Sequence, residues 1–271
     1  MSSDPPPPNS LPPVTPSLTF TGLTDIGRVR ARNEDHLVLL DEHGIAVVAD
    51  GMGGHPGGDV ASRITAQAVS QRLTELLASP DGQQGTASVL GHAMAESVLD
   101  AHALVRLEAT RKPELARMGT TVTALVIAER GGAYAIGHVG DSRAYLLRDG
   151  ELRQLTKDDT WVQERVDAGD FTVEQGHRHP YGHLLTQCVG LEEPPEPHII
   201  VGSVLSGDVY MLCTDGVTGA LELPVLQELL QEGLLAEAGQ SSPESVVKAI
   251  LEEAMERGAT DNLTAALVIV A

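Results

Sequence analysis

Six short apolar runs punctuate the chain, at 45–49, 120–128, 133–139, 144–147, 209–214 and 263–270. Several end against Gly or Asp, and short apolar runs of this kind predict strands. Between them lie longer segments whose apolar residues return at helical spacing. In 58–78, Val60, Ile64, Ala68 and Leu76 or Leu77 fall near one face. Segments 88–109 and 242–258 have the same texture, the second through Val246, Val247, Ile250, Leu251 and Ala254. Strands outnumber helices and do not alternate with them one for one. That predicts an α+β sandwich rather than a doubly wound parallel sheet. No internal repeat is visible.

Two stretches break this texture. Residues 1–16 hold seven prolines and almost no apolar periodicity, which predicts a disordered tail over 1–17 and a folded domain over 18–271. Residues 156–190 carry Lys157, Asp158, Asp159, Trp161 and the histidines His177, His179 and His183. They read as an inserted, mobile surface segment, helical over 161–168. The histidines are spaced by two and four, which reads as solvent-exposed residues rather than as a metal site.

Composition narrows the partners. With 271 residues the chain can form one large domain or two small ones. Aromatics are only 3%, too few for rows of stacking side chains on single-stranded nucleic acid. The net charge of −20 would repel a phosphate backbone. Cys188 and Cys213 form no CxxC pair, so a disulfide framework is not expected and a reducing compartment fits. Cys213, inside an apolar run, reads as a small buried hydrophobe. No apolar run approaches the ~20 residues of a membrane span, and no signal-peptide pattern opens the chain. The expectation is a soluble cytoplasmic protein that binds neither nucleic acid nor membrane.

The chemistry concentrates at strand ends. Asp50 follows the run 45–49 and precedes Gly51, Met52, Gly53, Gly54 and His55. Glycines there allow a tight turn and let a main-chain carbonyl approach a ligand. Asp215 follows 209–214, Asp141 follows 133–139 and Gly140, and Asp261 precedes 263–270. A lone Asp-Gly would read as a turn, but four carboxylates so placed would crowd one another if their strands share a sheet. Crowded carboxylates destabilise one another unless cations intervene. Oxygen-only ligands suit magnesium or manganese better than zinc. Glu34 and Asp35, next to Arg30 and Arg32, either make surface ion pairs or join this site, with Arg30 gripping a phosphoryl group through its planar fork.

These residues sit in stretches that resemble the metal-dependent protein phosphatases of the PPM class, type 2C, in their bacterial form. The matching stretches run Thr24-Asp25-Ile26-Gly27 to Asn33-Glu34-Asp35, Val48-Ala49-Asp50-Gly51-Met52-Gly53-Gly54-His55, Met118-Gly119-Thr120-Thr121 and Gly137-His138-Val139-Gly140-Asp141-Ser142-Arg143. They continue with Leu155-Thr156-Lys157-Asp158 and Trp161-Val162, Thr214-Asp215-Gly216-Val217-Thr218, and Thr260-Asp261-Asn262-Leu263-Thr264. The resemblance implies a four-layer sandwich of two packed antiparallel sheets flanked by helices, and a protein serine/threonine phosphatase using a hydroxide that bridges two divalent cations, Mn2+ or Mg2+. It implies Asp50 as the bridge, the Gly51 carbonyl on one metal, and Asp215 and Asp261 on the other. Glu34 and Asp35 would contribute through water or supporting bonds, and Asp141 with Asp215 could hold a third metal. Arg30 matches the phosphate clamp, His55 is one candidate proton donor (a third-metal water is the other), and 156–190 matches the flap beside the cleft. Phosphoproteins are the implied substrates, a eukaryotic-like Ser/Thr kinase a cognate partner, and a monomer the expected state. Gly219, Asp159 and Gln187 depart from the family pattern, where an acidic residue, a His and an Arg are frequent. A non-catalytic phosphopeptide-binding relative and a small-molecule phosphomonoesterase are the alternative readings.

Overall fold

The apolar runs are unbroken because their strands are covered on both faces. The computed structural model describes residues 17–52, 56–79, 82, 85–128, 132–177, 179–235 and 242–271. The tail expected over 1–17, Ser17 apart, and His55 lie outside the described residues. The strands are β1 (Leu18–Asp25), β2 (Asp35–Leu40), β3 (Ile45–Asp50), β4 (Val122–Ala128), β5 (Ala133–Val139), β6 (Arg143–Arg148), β7 (Glu151–Gln154), β8 (His198–Ser203), β9 (Val209–Cys213) and β10 (Leu263–Val270). They form two five-stranded sheets, ordered β1-β10-β9-β6-β7 and β2-β3-β4-β5-β8, with every pairing antiparallel.

Helices α1 (Gly58–Leu77) and α2 (Ala87–Arg111) cover the second sheet, while α6 (Leu223–Leu235) and α7 (Pro243–Glu256) cover the first. Three short helices complete the set: α3 (Trp161–Asp167), α4 (Val173–His177) and α5 (Asp215–Thr218). The expected four-layer α+β sandwich is therefore present. In β3 the alternation is explicit. Ile45, Val47 and Ala49 face α1 and α2, whereas Ala46 and Val48 face the other sheet. Fully burying Ile45, Val47 or Val48 stabilises the fold by about 1.5–3 kcal/mol each, and the alanines contribute less.

All six strands read from the sequence exist, and each is an interior strand of its sheet. The four that were not read, β1, β2, β7 and β8, are the four edges. Edge strands carry mixed, partly exposed sequences and leave no continuous apolar run. In α1 the most buried residues are Ala61, Thr65, Ala66, Val69 and Leu73, while the expected Val60, Ile64, Ala68, Leu76 and Leu77 pack only partly against the same core. Small residues dominate the closest approach between α1 and its neighbours, so size rather than hydrophobicity picks the buried stripe. The expected face of α7 is buried as read.

Strand register sets up the functional end. Asp35 pairs with Asp50, Asp25 with Leu263, and Arg143 and Ala265 both pair with Cys213. The end of β3, the end of β9, the start of β10 and the β5–β6 turn therefore meet at one end of the sandwich.

Candidate metal centre

A cleft of about 700 Å³ opens at that end, with Asp50, Asp141, Asp215 and Asp261 in its lining together with Arg30. The carboxylates come from both sheets rather than one: Asp50 ends β3, Asp215 opens α5 after β9, Asp261 precedes β10, and Asp141 sits where the chain crosses between sheets. The strands place each charge within two residues of a strand end: Asp50 closes β3, Asp141 and Asp215 lie two residues past β5 and β9, and Asp261 two residues before β10.

Asp50 is fixed by Thr120 and Thr121. Its N–H donates to the Thr121 hydroxyl (3.0 Å), and its carbonyl accepts from the Thr120 hydroxyl (2.7 Å) and the Thr121 N–H (2.9 Å). Gly51 follows under tight constraint. A Cβ there would lie 2.3 Å from the Gly58 carbonyl oxygen and 2.7 Å from that of Glu34. Only glycine lets the main chain pass between these two carbonyls. Gly140, whose own φ is +106° and where a Cβ would also meet the Thr121 side chain at 2.6 Å, turns the chain into Asp141.

The electrostatics are those of a charge-crowded site. Burial pushes the Asp50 carboxyl well above the usual carboxylate range, and the nearby charges of Asp35, Asp215 and Asp141 add to it. Asp141 is raised in the same way, by burial first and then by Asp215 and Asp158. Asp215 is raised by burial, while a hydrogen bond with Asp50 works against the shift. One oxygen of Asp215 is buried without a hydrogen-bond partner. Arg30 donates to Asp261 Oδ2 at 2.5 Å, so its guanidinium lies against a carboxylate of the cleft.

Among the described residues, no three His, Cys, Asp or Glu side chains close on a single point as they stand. The site nevertheless fits hard cations. A buried, unpartnered carboxylate oxygen and a set of carboxylates pushed toward protonation both call for positive charge, and the set offers oxygen only.

Glu34 and Asp35 stand behind this lining. Asp35 Oδ2 accepts from the hydroxyls of Thr214 (2.9 Å) and Thr264 (2.6 Å), and its other oxygen is unpartnered. Burial raises its carboxyl to about 7. The Glu34 carboxyl is also raised, by burial and then by Asp59, and its carbonyl accepts from Gly51 N–H (3.1 Å) and the Ser62 hydroxyl (2.6 Å).

The residue that organises this corner was not singled out from the sequence. Asn262 accepts from the Glu34 N–H (2.9 Å) and donates to the carbonyls of Ile26 (2.9 Å) and Arg32 (2.8 Å). It thereby ties the segment bearing Arg30 to the start of β10. Its place beside Asp261, within the matching stretch 260–264, was the available signal. Arg257, at the C-terminal end of α7, also lines the cleft and carried no sequence signal. The expected exposure of the flap histidines needs correction in part. His183 is exposed but lines the cleft, and His179 stacks on Phe171 at 5.2 Å and packs on Trp161 at 5.3 Å. The side chain of His177 lies outside the described residues. Cys213 is fully buried among the residues under α7, and burial pushes its thiol up to about 12.

Comparison with known proteins adds four findings. The profile of the protein phosphatase 2C family matches residues 28–267. The serine/threonine protein phosphatase PstP of Mycobacterium tuberculosis is 36% identical over 251 residues, which are 93% of this chain and 45% of that protein. The serine/threonine phosphatase stp of Listeria welshimeri is 32% identical over 90% of this chain and 93% of its own length. Among solved structures, the PstP catalytic domain in complex with two manganese ions superposes with a TM-score of 0.80 at 33% identity, covering 95% of this chain and 100% of that one. The chain thus spans less than half the length of the mycobacterial relative.

Proposed function

As the chain belongs to the protein phosphatase 2C family, we propose that it hydrolyses phosphoserine and phosphothreonine monoesters of proteins with divalent cations, Mn2+ or Mg2+, in the cleft. The observation that carries this reading is the convergence of Asp50, Asp141, Asp215 and Asp261 from both sheets on one cleft beside Arg30. The named phosphatase relatives and the manganese-bound structure of one of them support it.

On this reading Asp50, the Gly51 carbonyl, Asp215 and Asp261 hold two cations, with Asp141 and Asp215 available to a third. Glu34 and Asp35 support them from behind. When bound, the cations supply a water activated for attack near neutral pH and positive charge against the phosphoryl oxygens. Arg30 exchanges Asp261 for phosphoryl oxygens, which its planar fork matches. Asn262 holds the Arg30 segment so that the guanidinium is in place before substrate arrives. Met52, Leu184 and Leu185 form apolar walls that limit water around the reacting ester. His55 is the proposed proton donor to the leaving seryl or threonyl oxygen.

Phosphorylated proteins are the proposed substrates and a eukaryotic-like Ser/Thr kinase a partner, the latter by analogy of family alone. No helix among the described residues is long and apolar enough to cross a membrane. Manganese-dependent phosphate release from phosphothreonine peptides tests the assignment. Asp215→Asn should abolish it, and full activity of that variant in the presence of a chelator would overturn the mechanism.

A further inference from the structure

Asp159 joins three segments that meet beside the cleft. It is 7% exposed. Its Oδ2 accepts from the N–H of Gly140, the residue before Asp141, at 2.9 Å. Its Oδ1 accepts from Gln187 Nε2 at 3.1 Å and His198 Nε2 at 2.7 Å. The main chain doubles two of these links. The Asp159 N–H donates to the Gly140 carbonyl (2.7 Å), and the Asp159 carbonyl accepts from the Thr186 N–H (2.8 Å). One residue therefore fastens the Asp141 turn, the returning limb of the flap and the first residue of β8.

The chemistry of this node is one-sided. All three partners of the carboxylate are donors, so position 159 must be an acceptor on both oxygens. Gln187 cannot simply turn its amide over, because its Oε1 already accepts from the Glu196 N–H at 2.8 Å. The flap limb held in this way carries Leu185 and Cys188, both in the cleft wall.

We propose that Asp159 is a positioning residue that fixes the Asp141 turn and the flap wall of the cleft relative to each other through Gln187 and His198. It touches no reacting group, and its effect on catalysis rests on the phosphatase reading given above. Supporting partners of this kind change metal affinity or activity by roughly 10- to 100-fold when removed.

Asp159→Asn is the sharpest perturbation, since it keeps the volume and turns one acceptor into a donor. With its oxygen kept toward Gly140, the new amide faces the Gln187 amide donor, which cannot turn, whereas His198 can present Nε2 as an acceptor in its other tautomer. Adding Gln187→Glu restores the match, because a carboxylate at position 187 accepts from both the new amide at position 159 and the Glu196 N–H. The natural reporter is Trp161, the only tryptophan in the chain. Its main-chain N–H donates to the Leu184 carbonyl at 2.8 Å, and its ring packs on Phe171 at 5.9 Å. Asp159→Asn is expected to lower kcat/KM by about 10- to 100-fold, to raise the manganese concentration giving half-maximal rate, and to shift Trp161 emission. Asp159→Asn with Gln187→Glu is expected to recover most of the rate and the wild-type emission. Wild-type rate and emission in Asp159→Asn would overturn the proposal, as would a loss that Gln187→Glu does not relieve. If Asp159→Asn fails to fold, Gln187→Leu removes one donor at a partly exposed position and should shift emission in the same direction. Unchanged emission and rate there overturn the proposal equally. Emission is read without substrate or metal, so it decides the positioning role even if the wild-type protein releases no phosphate, which would sink the phosphatase reading separately.

Discussion

Replacing Asn262 with alanine tests whether the Arg30 segment must be held in advance. Asn262 is 4% exposed and its side chain makes three hydrogen bonds, one from the Glu34 N–H and two to the Ile26 and Arg32 carbonyls. At about 1 kcal/mol net each, their loss would cost about 3 kcal/mol. Ile26 and Arg32 are exposed, so their carbonyls regain water, and only the half-buried Glu34 N–H is left short of a partner. That lowers the expected cost to about 2 kcal/mol, or a fall in Tm of roughly 4–8 °C for a domain of this size. The effect on catalysis should be larger than the effect on stability. Arg30 lies in the freed segment, and misplacement of a clamp by about 1 Å can cost about 100-fold in rate. Thermal unfolding and manganese-dependent hydrolysis of a phosphothreonine peptide, measured on the same Asn262→Ala sample, provide the two readings. A kcat/KM within about threefold of wild type would refute the claim that this segment works by preorganisation.

Further outcomes follow from other parts of the molecule. Gly51→Ala should destabilise the protein by more than about 2 kcal/mol and abolish activity, since its Cβ would sit 2.3 Å from a main-chain oxygen; a denaturation midpoint equal to wild type would contradict this. Asp208→Ala removes the partner that Arg148 grips with two bonds of 2.6 Å at the far end of β9, and should cost about 1.5–3 kcal/mol while leaving kcat of the folded protein unchanged. In metal-free protein the Asp35 carboxyl, raised to about 7, retains a proton that the unfolded chain releases above about 4. Its folded pKa is above its unfolded one, so this contribution to stability is lost as pH rises between those values; Tm in chelator should fall from pH 5 to pH 7.5, and a rising Tm would count against it. His55→Gln should slow hydrolysis of phosphothreonine peptides much more than hydrolysis of an aryl phosphate, whose leaving oxygen needs no proton; equal losses would remove His55 as the donor.

The sequence by itself determined the interior of each sheet and the charges at its ends. Strands covered on both faces must be continuously apolar, and that pattern is local, so β3, β4, β5, β6, β9 and β10 could be read directly. Asp50, Asp141, Asp215 and Asp261 were legible because each interrupts such a run. The edge strands were not legible, because their burial depends on a neighbour and a helix far away in the chain. Nor could local pattern show that the four carboxylates come from two sheets rather than one. Only the tertiary structure brought Asn262 under the Arg30 segment, 232 residues away, and set Asp159 among donors from Gly140, Gln187 and His198. Hydrogen bonds between distant segments leave no periodicity in a sequence, so what holds the site in shape became visible only once the chain was folded.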